Sequence, residues 1–313
     1  LVRCFCNGIR LQNLCSDTYI LLVLLSYSRS ICYTALYGKE CARMDTEITN
    51  QIRSEMGDKI PVLGTAIVNG PHWLKRQIES IDYPVENYII FNNNGRGEIT
   101  NDLEILKSIE NDNIENMFVC HLPSNIGVSG AWNLIIKSYI NSPYWIIVNH
   151  DVSFMPGILE EMWSKAQNKE TGIVFGKRGD FGLGAFDLFL IKDWVIQRLG
   201  LFDENFYPAY CEDADYQMKL WHTDIAQDFC ELLYYHGSST DYYETGSQTK
   251  VEEPNLHNKL EEVNTANFEY MHKKWGPFWR TMWPYKNPFN IKELLNTYNS
   301  YDIEFARKKY LGF

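Results

Sequence analysis

The densest group of chemically useful side chains is Glu212-Asp213-Ala214-Asp215, three carboxylates within four residues, preceded by Gly200-Leu201-Phe202-Asp203-Glu204 and by Tyr210. Carboxylates enclosed together raise one another's pKa, which suits one of them to take a proton from a hydroxyl near neutral pH. The same run read as the first turn of a helix needs no chemistry, because the helix dipole stabilises acids there. A second group is Trp145-Ile146-Ile147-Val148-Asn149-His150-Asp151. An apolar run ends in a polar triplet whose carboxylate is placed to bind a hard divalent cation, with phosphate oxygens completing the shell. A turn or capping aspartate ahead of Pro156 is the plainer alternative. The third group, Asn125-Ile126-Gly127-Val128-Ser129-Gly130-Ala131-Trp132-Asn133, reads as a loop entering a helix. Its glycines allow a ligand to come close to the backbone, and a helix start favours negative charge. Glycine-containing helix starts also occur without any ligand.

These groups need elements to position them, and the chain supplies an alternation. Pro61–Val68, Tyr88–Phe91, Met117–His121 and Tyr144–Val148 are short apolar runs expected to be buried strands. Helical segments are expected over Trp73–Ile81, from about Ile99 to Glu110, and over Ser129–Ile140. Asn69-Gly70-Pro71, Asp82-Tyr83-Pro84 and Asn141-Ser142-Pro143 punctuate them. Farther on, a helix follows Pro156-Gly157, strands are expected at Gly172–Phe175, Ala185–Ile191 and Leu232–His236, and a helix at Glu212–Trp221. The pattern predicts an α/β fold with a mostly parallel central sheet flanked by helices. In such sheets ligands sit at the carboxyl ends of the strands, which singles out Asn69, Asn92, Asn93, Asn94, Ser124, Asn125 and the 149–151 triplet.

Taken together and in this order, the three groups resemble glycosyltransferase family 2, inverting enzymes of the GT-A (nucleotide-diphospho-sugar transferase) fold, and most closely its rhamnosyltransferase-like members. The likeness covers about 61 to 240. A weaker likeness is to glycosyltransferases of large algal viruses that decorate capsid protein. The resemblance implies that Thr65, Ala66 and Asn92 to Asn94 line a uracil and ribose pocket. It implies that Asn125, Gly127, Asn133 and Asn149 lie by the nucleotide. Asp151 would hold Mn2+ or Mg2+ against the diphosphate, with His236 completing the metal site. Asp213 would be the base for the acceptor hydroxyl, and Glu212 would position acceptor or base. The implied donor is a nucleotide sugar, with UDP favoured, and the implied partner is a glycan or glycoprotein acceptor. Two departures bear on metal dependence: the triplet lacks its first acid, and Lys219 stands where many members have arginine.

The whole chain of 313 residues carries 40 acids against 29 bases, a net charge of −11, which excludes nucleic acid as a natural partner. Hydrophobic content of 45% supports a real core. The expected organisation is 1–58 as an N-terminal segment, 59–250 as the catalytic domain and 251–313 as a helical, aromatic-rich extension packing on it. Tyr19–Leu25 is apolar but far short of a spanning helix, and it fits a signal peptide, an anchor, a buried helix or sequence foreign to the domain. No Asn-x-Ser/Thr site with a permitted middle residue occurs, which favours a cytoplasmic location. The eight cysteines form no CxxC pair and read as free thiols, with a disulfide framework near the N-terminus as the alternative. Trp275, Trp279 and Trp283 are aromatic faces for an acceptor sugar or for packing, and Lys177 and Arg178 are diphosphate contacts or solvated loop charges. Three rivals stand against a transferase. A sugar nucleotidyltransferase needs a basic glycine-rich loop after the first strand, where Val68-Asn69-Gly70-Pro71-His72 stands instead. A non-catalytic carbohydrate- or nucleotide-binding protein of the same fold draws on the altered triplet and conflicts with the intact acid run. A dehydrogenase needs GxGxxG after that strand, and none is there.

Overall fold

The computed structural model describes residues 58–95, 99–177, 185–237, 248–249 and 254–276, all within one unit spanning Arg53–Phe313. Expectations for 1–57, for Arg178 and the rest of the 178–184 loop, and for Phe278, Trp279, Trp283, Tyr285 and Phe289 lie outside the described residues. The elements are β1 (Ile60–Ile67), α1 (Pro71–Glu79), β2 (Val85–Asn92), α2 (Thr100–Leu106), β3 (Ile114–His121), α3 (Gly127–Ser138), β4 (Tyr144–Asn149), β5 (Val152–Phe154), α4 (Ile158–Ala166), β6 (Thr171–Lys177), β7 (Ala185–Lys192), α5 (Asp193–Leu199), α6 (Glu212–Trp221), β8 (Ala226–His236) and α7 (Pro254–Trp275).

The strands form a sheet of order β3-β2-β1-β4-β7-β6-β8-β5. β1 to β4 run parallel, as does β6 with β8, whereas β7 is antiparallel to both β4 and β6, and β5 is antiparallel to β8. The sheet is therefore mostly parallel, as expected, with β7 and β5 reversed. The reason is the spacing between β6 and β7: residues 178–184 are too few for the crossover of a dozen or more residues that a parallel pair requires. The GT-A architecture is otherwise as expected from the alternation. Boundaries differ by a few residues, and β5 and α5 are additions that periodicity did not announce.

Both faces of the sheet are covered. One packs under α1, α2 and α4 through Leu74, Ile78, Leu103, Met162 and Trp163. The other packs under α3, α5 and α6 through Ile135, Ile136, Val195, Tyr216 and Leu220. Each such buried side chain contributes about 1.5–3 kcal/mol relative to exposure. Contact between α3 and β1 depends on Gly64, where a Cβ would collide with the Ile135 side chain. A smaller cluster, Phe206, Cys211, Met218, Met271 and Trp275, joins α7 to α6 and the turn before it. Among the described residues no helix is long and apolar enough to cross a membrane.

Candidate active site

β1, β2 and β3 progress in one direction across the sheet, and β4 lies on the other side of β1. The order thus reverses between β1 and β4, where α/β sheets leave a crevice beyond the strand ends. Ala66 and Asn149 face each other across that pair of strands. A cavity of about 360 Å³ opens there, lined by Ala66, Asn93, Asn125, Trp132, Asn149, Asp151, Phe186, Asp187, Tyr210, Glu212, Asp213, His236 and their neighbours.

One wall is built around Asp151. The residue is buried, and its Oδ2 accepts a hydrogen bond from the Gln248 N–H at 2.7 Å. Its Oδ1 lies 3.3 Å from His236 Nε2, and the other ring nitrogen of His236 is 3.7 Å from Asp187 Oδ2. Pairing of β5 with β8 brings this about, because Val152 and His236 are direct partners in the ladder. Burial by itself would raise the Asp151 carboxyl. The neighbouring His150 and His236, with the Gln248 N–H, outweigh it and hold the group well below the usual carboxylate range. The wall therefore presents a persistent anion.

The facing wall is the start of α6. Tyr210 and Cys211 both have positive φ, 77° and 74°, which side chains other than glycine rarely adopt. This turn delivers Glu212 and Asp213 to the cavity while Asp215 points away into protein. Asp213 is exposed at the cavity, and the protein packed around its carboxyl raises it above the usual range. The Ala214 N–H, donating at 2.6 Å, opposes the rise, and the Asp187 carboxylate adds to it. Asp215 belongs to a buried ion network instead. Its Oδ1 takes Lys274 Nζ and Trp275 Nε1, each at 2.7 Å, and Lys274 also reaches Asp203 Oδ2 at 2.7 Å. Lys219 stands 3.9 Å from Asp215 and donates to the Leu201 carbonyl at 3.0 Å; burial pushes its amine down to about 8.

The residues singled out in the sequence separate into two groups. Ala66, Asn93, Asn125, Asn149, Asp151, His236, Glu212 and Asp213 line the cavity. Asn93 also ties β2 to α3, accepting from the Ile126 N–H at 2.8 Å and donating to the Gly127 carbonyl at 3.2 Å. Thr65 is fully buried in β1 and is not among the lining residues. Asn92 bonds His121 at 3.0 Å, and Asn94 donates to the Val68 carbonyl at 2.7 Å, so both brace strand ends. Asn133 closes the loop at 202–204 with two bonds of 2.9 Å to the Phe202 backbone and one of 2.8 Å to Glu204. Gly127, at φ 78°, lets Tyr207 and Pro208 approach where a Cβ would meet the Tyr207 ring at 2.9 Å. Lys177 lies 3.4 Å from Glu231 at the exposed end of β6.

Sequence reasoning missed Asp187. It sits on β7 beside the triplet, accepts from Asn149 Nδ2 at 3.3 Å and from the Tyr234 hydroxyl at 3.1 Å, and borders both walls. Its signal was a lone carboxylate inside the apolar run 185–191. Among the described residues no group of three or more His, Cys, Asp or Glu side chains is arranged to hold a metal ion. The convergent donors are Asp151 and His236. Such a pair fits Mg2+ or Mn2+ shared with phosphate oxygens, which rarely use an all-protein cage.

A galactofuranosyl glycosyltransferase of Leishmania donovani is 24% identical, over 47% of this chain and 49% of that protein. The chain thus spans about half the length of this curated relative. A crystal structure of GalNAc-T7 with UDP, GalNAc and Mn2+ matches with a TM-score of 0.51 at 10% identity, covering 82% of this chain and 57% of that one. That likeness shows the GT-A fold. The S. aureus TarS structure of 1–349 has a TM-score of 0.45 at 12% identity, over 57% of this chain and 60% of that one. The model of the family described as glycosyl transferase family 2 matches 68–233, more than half of the chain and the segment that holds Asp151, Asp187, Glu212 and Asp213. The chain belongs to glycosyltransferase family 2.

Proposed function

We propose that the protein transfers a sugar from a nucleotide-diphosphate donor, a UDP-sugar, to a hydroxyl of a glycan or glycoprotein, with inversion at the anomeric carbon and with a divalent cation. The observation that carries this reading is one cavity beyond the β1 and β4 ends, lined by Asp151 and His236 on one side and by Glu212 and Asp213 on the other. Ala66, Asn93 and Asn125 form the part of the cavity beneath the β1 and β2 ends, the side suited to base and ribose. Asp151 and His236 would hold Mn2+ or Mg2+. When bound, the ion neutralises the charge that grows on the departing nucleoside diphosphate.

Asp213 takes the acceptor hydroxyl proton on its carboxylate oxygen as that oxygen attacks the anomeric carbon from the face opposite the leaving group. One base suffices, since an inverting displacement forms no covalent enzyme intermediate. A carboxyl raised above its ordinary value is a better proton acceptor than one in water. Glu212, buried beside it, is placed to orient the incoming hydroxyl.

Calorimetric titration with UDP, dTDP and GDP, each in Mn2+ and in EDTA, tests the reading. The expected result is saturable binding of UDP that weakens sharply in EDTA. Equal binding with and without metal removes the Asp151–His236 role. Absence of binding to any of the three, by folded protein, overturns the transferase in favour of a non-catalytic member of the family.

A further inference from the structure

α7 lies beyond the segment matched by the family, 68–233, yet it grips the turn that presents Glu212 and Asp213. That turn requires two consecutive left-handed residues, Tyr210 and Cys211, neither of them glycine, and each costs free energy to hold. Asn267 of α7 is fully buried. Its Nδ2 donates to the Ala209 carbonyl at 2.8 Å and to the Tyr210 carbonyl at 3.0 Å. Those carbonyls belong to the two peptide groups that flank Tyr210. Rotation about φ of Tyr210 or of Cys211 out of the left-handed region must swing one of the two, so each bond pins one strained torsion. The opposite side of the turn is bounded by α3, whose Val128 N–H donates to the Pro208 carbonyl at 2.8 Å.

The last turns of α7 act on the same segment. Lys274 bridges Asp203 and Asp215, Trp275 donates to Asp215, and the Tyr270 hydroxyl donates to Asp203 at 3.0 Å. Asp203 and Asp215 are thereby paired and anchored by one helix. Asp213 itself is left to face the cavity, whose wall α7 also joins through Leu260.

We infer that Asn267 is a positioning residue: by pinning the Ala209 and Tyr210 peptides it holds the Tyr210–Cys211 turn left-handed, and so holds Asp213 at the cavity. The inference rests on reading Asp213 as the base, but its test does not. In the full chain, Asn267→Ala is compared with the parent by hydrogen exchange and by 13C NMR titration of the Asp213 carboxyl, with UDP binding as a control. Exchange over 207–216 is expected to rise about tenfold while β1 and β4 stay protected. The Asp213 titration is expected to move down toward the ordinary aspartate range, and UDP affinity to hold. Adding Cys211→Gly, which removes the steric cost at one torsion, is expected to restore much of both readings. If Asn267→Ala does not fold, Asn267→Asp, which keeps the size but loses the donor, takes the same measurements. An unchanged Asp213 titration, or exchange rising equally across the sheet, would overturn the inference. A fully active Asp213→Asn would instead overturn the base assignment and leave the exchange result to decide the role of Asn267.

Discussion

The two walls of the cavity carry the same functional group in opposite states. Asp151 is buried, yet two histidines and a backbone N–H keep it anionic. Asp213 is exposed at the cavity, yet the protein around its carboxyl and the Asp187 charge push it toward the protonated form. Burial alone therefore does not set either role; the partners do. The walls also differ in what supports them. Asp151 follows the ladder-bonded strand β4 and stands beside the β5–β8 pair, whereas Asp213 hangs from two strained torsions clamped by α7. An anion site needs only a fixed charge. A base needs its environment maintained, and the structure spends backbone strain on that side.

The largest expected effect comes from removing the base while keeping its shape. Asp213→Asn should lower turnover by roughly 10²–10⁴-fold with UDP affinity unchanged, measured by UDP release and by calorimetry. The same variant should be more heat-stable at neutral pH. A carboxyl whose folded pKa is raised binds its proton more tightly in the fold, so its contribution to stability is present at low pH and is lost as pH rises through the folded value. The gain in melting temperature of Asp213→Asn should therefore shrink as pH is lowered. A gain that grew instead would mean that Asp213 is not enclosed as the two-wall contrast requires.

On the other wall, Asp151→Ala should weaken Mn2+-dependent UDP binding by about 10- to 100-fold and leave the residual binding in EDTA unaltered. Titration of UDP into the variant, with and without Mn2+, reads this directly. Equal losses in both conditions would make Asp151 a general structural residue and dissolve the distinction between the walls.

How much of this contrast was legible depended on whether local chemistry or long-range packing decided it. β1, β2 and β4 announced themselves as apolar runs, because strands buried on both faces have few polar positions. The Asp151 and Asp213 wall residues were legible because each ends or begins an element. The direction of β7 was set by a short connection rather than by composition. Asn133 in α3 and Thr65 near the end of β1 have polar side chains, but packing turned one to the loop at 202–204 and left the other inside the sheet. Asn267 and Lys274 lie in a helix whose sequence reads as packing. Their partners are some 58 and 71 residues away, at distances no local pattern encodes.

Gly127→Ala is a milder way to disturb chiefly the strained wall. Its φ of 78° and the Tyr207 ring 2.9 Å from a built Cβ predict a loss of about 1–3 kcal/mol, measured by urea unfolding. Because Tyr207 and Pro208 lead into the Tyr210–Cys211 turn, turnover should fall more than UDP binding does. A variant that lost both in proportion would show that the two walls move as one body.

The smallest and most discriminating change is Asp187→Asn, since Asp187 borders both walls. Its carboxylate is one of the charges that raise Asp213, and it stands 3.7 Å from His236 Nδ1. Removing a neighbouring negative charge makes ionisation of Asp213 easier, so its pKa should fall. The base form then persists to lower pH, and the acidic limb of the pH–rate profile should shift to lower pH, opposite to the shift that added enclosure would give. Desolvation contributes more to the rise than the Asp187 charge does, so the shift should be only part of the total rise. The amide also takes away the charge facing His236, so the cation affinity of the first wall should drop modestly in the same variant, read by Mn2+ titration. A shifted limb with unchanged Mn2+ affinity would assign Asp187 to the base wall alone, and changed affinity with an unmoved limb would assign it to the anion wall alone.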